Sequence, residues 1–268
     1  MRSSCLILVL YLALAASNGW AQGGAVPSSQ DTRPNQVSAE AWKVFLLANQ
    51  ARAAAGIAPF LWDSALAEAA RKQCVWVSVS GGMAPRSSGE PVLEKRAGAA
   101  GAHFSLIKEN EGIGTDLAEI HAQWMSIAVS RANLLDPGLD RAGVAVVISG
   151  EQLYVVADYS HFVPVLTPEQ VEDSIAKLLR ARGLSIALDK QDAHWLCAGR
   201  TTVSVSPSYV LIWQDWDMSK LPDTLEKILP QAHFRKAAVG SCPSKDVGGG
   251  FAQYRVAALF YSTGVGVY

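Results

Sequence analysis

The 268-residue chain has no surplus of either charge: Lys and Arg total 23 against 24 Asp and Glu. A nucleic-acid module usually carries a clear basic excess, so no polyanion partner is indicated. Past the first sixteen residues no apolar run reaches the ~20 residues that a membrane-spanning helix needs. The catalytic strings G-x-S-x-G, H-E-x-x-H, the P-loop and the dinucleotide fingerprint are all absent. Gly248-Gly249-Gly250 has no following Lys and reads as a hairpin loop. The four cysteines form no C-x-x-C pair and no Cys/His cluster with zinc spacing, so they read as structural. With half its residues hydrophobic and 18% charged, the sequence fits globular domains rather than a disordered, collagen-like or coiled-coil chain.

What is present begins with a secretory pattern. Arg2 precedes the apolar run from Leu6 to Ala16, and Gly19-Trp20-Ala21 suits a cut after Ala21. Residues 1–21 are therefore expected to be a signal peptide and 22–37 a flexible leader, placing the protein outside the cell or in a periplasm. Three cysteines remain beyond that cut. The economical pairing is a Cys197–Cys242 disulfide, which leaves Cys74 buried and free.

Ser38 is expected to cap a helix running to about Ala55, ended by Gly56, with Trp42, Phe45 and Leu46 on one face. A second helix should start at Asp63 and run through Cys74 toward Trp76. The segment Glu90 to Ala99 is helical in composition. Thr115 is expected to cap an amphipathic helix whose stripe is Leu117, Ile120, Trp124 and Ile127. Gly143 to Ser149 and Leu153 to Tyr159 read as an antiparallel hairpin. Trp62, Trp124 and Leu134 are expected core residues.

Helices flanking that hairpin define an α+β domain over residues 38–160. Thr167-Pro168-Glu169-Gln170 is a capping box that opens a further helix, closed by Gly183. Residues 161–268 then form a smaller α+β domain of unknown role. Its expected strands are Thr201 to Ser206, Tyr209 to Gln214, Lys236 to Ser241 and Tyr254 to Tyr261, with a short helix at Pro222 to Leu229. Trp213 and Trp216 with Asp215 and Asp217 offer either a stacking platform or one buried Trp beside a turn. No internal repeat is visible.

A distinctive ordered set lies between residues 40 and 160. It comprises Asn49-x-x-Arg52, Gly56, Leu61-Trp62-Asp63-x-x-Leu66, Glu109-Asn110, Trp124-Met125, Arg131-Ala132-Asn133-Leu134-Leu135 and Gly143-Val144-Ala145-Val146. Together these resemble the bacterial branch of the CAP superfamily, the SCP or cysteine-rich secretory/antigen 5/pathogenesis-related-1 domain. The resemblance implies an α-β-α sandwich in an exported protein and a hydrogen-bonding role for Asn49.

Members of that family with a complete central cavity carry two His and two acids, a donor set suited to a divalent metal. Here the resemblance places Glu109 at one acid position. Ser130 stands at one His position and Pro85 at the other. Arg141, next to Asp140, stands at the second acid position. No metal and no cofactor are expected, because only Glu109 retains its donor. His103 and His121 are the available substitutes, and a Ser130–His121 dyad would need an orienting acid.

The favoured reading is a non-catalytic exported protein binding a protein, cell-wall glycan or lipid partner. One alternative is a cell-wall-modifying hydrolase using Glu109, which would need a second carboxylate such as Asp140 or Asp158. The other is a spacer role for the first domain, with binding by the second.

Overall fold

A computed structural model describes residues 33–80, 92–244 and 250–262 of the protein. The expected signal segment, most of the leader, and Pro85 lie outside the described residues.

Helix α1 (Ala39–Ala54) starts where the Ser38 hydroxyl accepts the Ala41 N–H at 3.1 Å, and ends ahead of Gly56, whose φ is +71°. It leads into β1 (Leu61–Trp62). Asp63 then caps α2 (Ser64–Ser80), its Oδ1 accepting from Ala65 N at 2.8 Å and Leu66 N at 3.0 Å. After α3 (Leu93–Ala99) come β2 (Phe104–Gly114), α4 (Leu117–Ser126), α5 (Ala128–Leu134), β3 (Arg141–Ser149) and β4 (Gln152–Phe162).

The four strands form a sheet in the order β1-β3-β4-β2, with β1 parallel to β3 and the other pairs antiparallel. One face packs Val144, Val155, Ala157 and Tyr159 against Trp42 and Phe45 of α1 and Ile120 and Trp124 of α4. The other face packs Ala145 and Val156 against Ala70 and Cys74 of α2. This is an α-β-α sandwich.

The chain continues through α6 (Pro168–Arg180), β5 (Ser185–Ile186), α7 (Gln191–Cys197), β6 (Tyr209–Asp215), α8 (Asp223–Ile228), β7 (Phe234–Cys242) and β8 (Tyr254–Ser262). The capping box at Thr167 and Gln170 is formed as the sequence suggests. These strands make a second sheet in the order β5-β7-β8-β6, again with one short parallel pair at the edge and antiparallel pairs elsewhere.

The two orders are the same. The row Trp62–Ala142–Tyr159–Lys108 across the first sheet corresponds to Ile186–Ala237–Phe260–Tyr209 across the second. Edge bonds agree as well: Asp63 N donates to Ala142 O at 2.9 Å, and Ala187 N donates to Ala237 O at 2.8 Å. In the second sheet Phe260, Ala258 and Val256 face α6 and α8, while Leu259 and Ala257 face α7. The same layering therefore recurs in shortened form, although the sequence shows no repeat.

Four local expectations need correction. Strand β2 is not apparent from the sequence, because Lys108, Glu109, Asn110 and Glu111 interrupt any apolar alternation. Asp116, not Thr115, caps α4, its carboxylate accepting from Ala118 N and Glu119 N. The helix stops at Ser126, so Ile127 leaves the apolar stripe and is half exposed. Thr201 to Ser206 is not a strand: the backbone N–H groups of Ser204 and Val205 turn toward the Asp192 carboxylate.

The cysteine pairing is as expected. Cys197 and Cys242 form a disulfide with Cα atoms 5.8 Å apart, tying α7 to β7, and Cys74 is buried and free. No helix of the described residues is long and apolar enough to cross a membrane.

Candidate functional site

The polar string of the first sheet divides into two groups by what its side chains touch. The first group ties loops together. Asn49 pairs both ways with Phe60, donating to its carbonyl at 3.1 Å and accepting its N–H at 2.8 Å. Arg52 is buried under the Phe60 ring, 3.8 Å from its centroid, and donates to the carbonyls of Ala58, Leu134, Asp136 and Leu139. Burial lowers the Arg52 pKa against the pull of Asp136 and Asp140. Four carbonyls on one guanidinium leave little donor capacity for anything else. Trp124 donates its indole N–H to Glu111 O at 2.7 Å. Trp124 and Leu134 are core, and Trp62 is half-buried against Trp42 and Phe45.

The second group surrounds Glu109. Asn110 donates to Ser130 O at 2.9 Å, and Asn133 donates to Glu109 O and to Asn110 Oδ1, both at 3.1 Å. Thus Asn110, Ser130 and Asn133 pin α5 to β2 through backbone and amide groups, and it is the Ser130 carbonyl that is used there. Arg131 lies exposed on α5.

The Glu109 carboxylate is ion-paired with Arg96 of α3, whose side chain is 3% exposed. Arg96 also lies 3.6 Å from the carboxylate of Asp158, the cross-strand neighbour of Glu109, and donates to Gln73 at 3.0 Å. Gln73 in turn donates to Glu111 at 2.7 Å. Asp158 is completely buried, so desolvation, followed by the adjacent Glu109 charge, raises its pKa well above the usual carboxylate range despite Arg96. Two carboxyls and one guanidinium in a dry place hold the site near neutrality when Asp158 keeps its proton.

Sequence reasoning identifies Glu109 and names Asp158 as a carboxylate that would have to approach it. It misses Arg96, because no local pattern ties α3 to β2. Arg141 is engaged elsewhere on its face, with Asp140 Oδ2 at 3.4 Å and the Phe162 ring centroid at 4.7 Å. His121 is half-buried with a lowered pKa caused by desolvation, while His103 is exposed. Among the described residues no three His, Cys, Asp or Glu side chains gather into a group able to hold a metal ion.

The α-β-α sandwich with this polar interior row defines the class. Residues 46–159 match the profile of CAP, the cysteine-rich secretory protein family. The match covers less than half of the chain.

Among solved structures, an outer surface protein of Borrelia burgdorferi is similar at 12% identity with a TM-score of 0.43, over 46% of this chain and 92% of that one. An extracellular SCP-domain protein of Bacillus anthracis is similar at 20% identity and TM-score 0.40, over 45% of this chain and 40% of that one. A cysteine-rich secretory protein of Staphylococcus aureus gives 20% and 0.39, over 48% and 41%. The chain thus spans about two fifths of the length of the last two. Scores at this level carry no argument about activity. No curated protein matches.

Proposed function

We propose that this is an exported CAP-domain protein that binds a partner without transforming it. The observation that carries the reading is the Arg96–Glu109 ion pair. The one carboxylate retained at a family cavity position already has a buried cation against it, where a metal or a substrate proton would have to sit. Ser130 offers a carbonyl bound to Asn110, Arg141 is paired with Asp140, and the cation beside Glu109 is Arg96, so the residues present do not fit a divalent ion. The disulfide, which oxidising compartments permit, supports export.

The hydrolase alternative has its second carboxylate in Asp158, but that group is wholly buried beside Glu109 and presents nothing to a substrate. Glycoside hydrolysis requires both carboxyls to flank the scissile bond. The test uses the intact protein with insoluble cell-wall glycan and, separately, with zinc. The expected result is no release of reducing ends and no saturable zinc heat. Glycan cleavage, or one-to-one zinc binding, abolished by Glu109→Gln would overturn the reading.

A further inference from the structure

The charged row of Arg96, Glu109 and Asp158 in the first sheet has an apolar counterpart in the second, packed against α7. The row Gly143–Asp158–Glu109 corresponds to Ala238–Leu259–Val210, which carries no charge. Helix α3, which brings Arg96 over the first sheet, also has no counterpart: residues 198–208 connect α7 directly to β6 without a helix. Beside that row, on the α7 side of the sheet, Ala187, Lys236, Ala238 and Tyr261 line a cavity of about 390 Å³.

Its floor is apolar, from Ala187 and Ala238, and its polar groups come from three directions. Asp192 is fixed in place, one oxygen accepting Ser204 N at 2.9 Å and the other accepting Ser204 N at 2.8 Å and Val205 N at 3.2 Å. Asp189 accepts Gln191 N at 2.9 Å through Oδ1. Tyr261 lines the same cavity, and desolvation, then the charges of Asp192 and Asp189, raise its pKa. Lys236 of β7 is the cross-strand neighbour of Tyr261, at the place that Arg141 occupies in the first sheet. Among the described residues neither Asp189 nor Lys236 has an ion-pair partner.

We propose that this cavity binds a small zwitterion of amino-acid to dipeptide size, its ammonium group at Asp189, Asp192 and Tyr261 and its carboxylate at Lys236. A cavity of this volume is at the lower end of those that hold small molecules, and a few convergent polar groups over an apolar floor give such sites their selectivity. Two acids and one ammonium ion with no ion pair between them match a ligand of both signs better than a simple cation or anion. The site is independent of the partner-binding reading above.

The test titrates L-alanyl-L-alanine into the ¹⁵N-labelled intact protein and follows amide shifts. N-acetyl-L-alanyl-L-alanine and L-alanyl-L-alaninamide, each lacking one charge, serve as comparisons. The expected result is saturable shifts at Ser204, Val205 and Ala238, with either blocked form binding about tenfold or more weakly, since each loses a charge-assisted contact. Lys236→Gln should erase the difference between the dipeptide and its amide, and Asp189→Asn should narrow that between the dipeptide and its acetyl form. Both side chains are exposed, so neither variant threatens folding. Absence of saturable shifts at millimolar dipeptide, shifts confined to other residues, or equal binding of the blocked forms would overturn the proposal.

Discussion

The first and second sheets share one strand order but fill equivalent positions with opposite chemistry. Where α1 presents Asn49 and Arg52 ahead of Gly56, α6 presents Ala176 and Leu179 ahead of Gly183. Where β2 and β4 bring Glu109 and Asp158 together, β6 and β8 bring Val210 and Leu259. Backbone topology therefore does not require the polar string. In the first sheet those side chains hold long loops to the sandwich, as Arg52 does for the segment from Leu134 to Leu139. In the second the connections leading to β5, β6 and β7 are shorter, and burial with one disulfide does the same work.

The largest expected effect comes from removing the first sheet's buried cation. Arg96→Leu should cost about 3–5 kcal/mol in urea unfolding, because Glu109 and Asp158 are left as buried carboxyls without a counter-charge. Adding Glu109→Val and Asp158→Leu, the residues of the second sheet, should recover most of that loss. If the triple variant is no better than the single one, the equivalence of the two rows fails.

Next comes the second sheet's own tie. Replacing Cys197 and Cys242 together by Ala should cost about 4 kcal/mol in the chain-entropy account for a separation of 45 residues. A loss below about 1 kcal/mol would mean that apolar packing alone holds α7 to β7.

A smaller effect is expected at two glycines. A Cβ at Gly143 would collide with the backbone of Leu66 and Ala67 of α2, and one at Gly240 would lie 2.5 Å from His194 N of α7. Each Gly→Ala change should cost about 2–3 kcal/mol, since a helix backbone cannot step aside as a side chain can. Thermal melts of both variants measure whether the two helices press on their sheets equally.

The smallest effect is one of pH, and its sign differs between the sheets. Asp158 has a raised pKa in the folded protein, so its contribution is fullest below its ordinary value of 3.8 and is lost as pH rises through the folded value. Asp158→Asn should flatten that decline. Glu172 of α6 is also buried, and burial alone would raise its pKa. Lys190 at 2.8 Å, the Ser241 N–H at 2.9 Å and His194 at 2.6 Å outweigh this and lower it. Its contribution is present above its ordinary value of 4.5 and lost as pH falls through the folded value. Glu172→Gln should flatten the acid limb instead. Stability measured across pH 3 to 7, roughly the carboxylate range and above, separates the two signs.

How much of this is legible in the sequence follows from the same contrast. Asn49, Arg52, Asp63, Trp124 and Asn133 make side-chain bonds to backbone at fixed sequence distances, so their spacing survives as a readable string. The helix caps at Ser38 and Thr167 are readable for the same local reason. In the second sheet, Ala176 and Leu179 do their work by burial, which many apolar residues can supply, and no string survives to mark the repeated layering. Strand β2 is hidden by the very charges that form the site. Arg96 is hidden because its partners come from β2 and β4, and α7 because seven residues are too few for an apolar stripe to show.

The equivalence of the two halves is tested most directly through cysteine. Cys74 in α2 donates to Tyr154 O, and Cys197 in α7 approaches Arg255 O, at matching places on β4 and β8. Val147, paired with Tyr154, therefore stands where Cys242, paired with Arg255, closes the disulfide. Burial pushes the Cys74 thiol up to about 12, so in the native protein it should resist alkylation until unfolding. The Val147→Cys variant, oxidised and mapped by mass spectrometry without reduction, should show Cys74 bonded to the introduced thiol, beside the native Cys197–Cys242 bond. A folded variant in which Cys74 and the introduced thiol both stay free under those conditions would contradict the account.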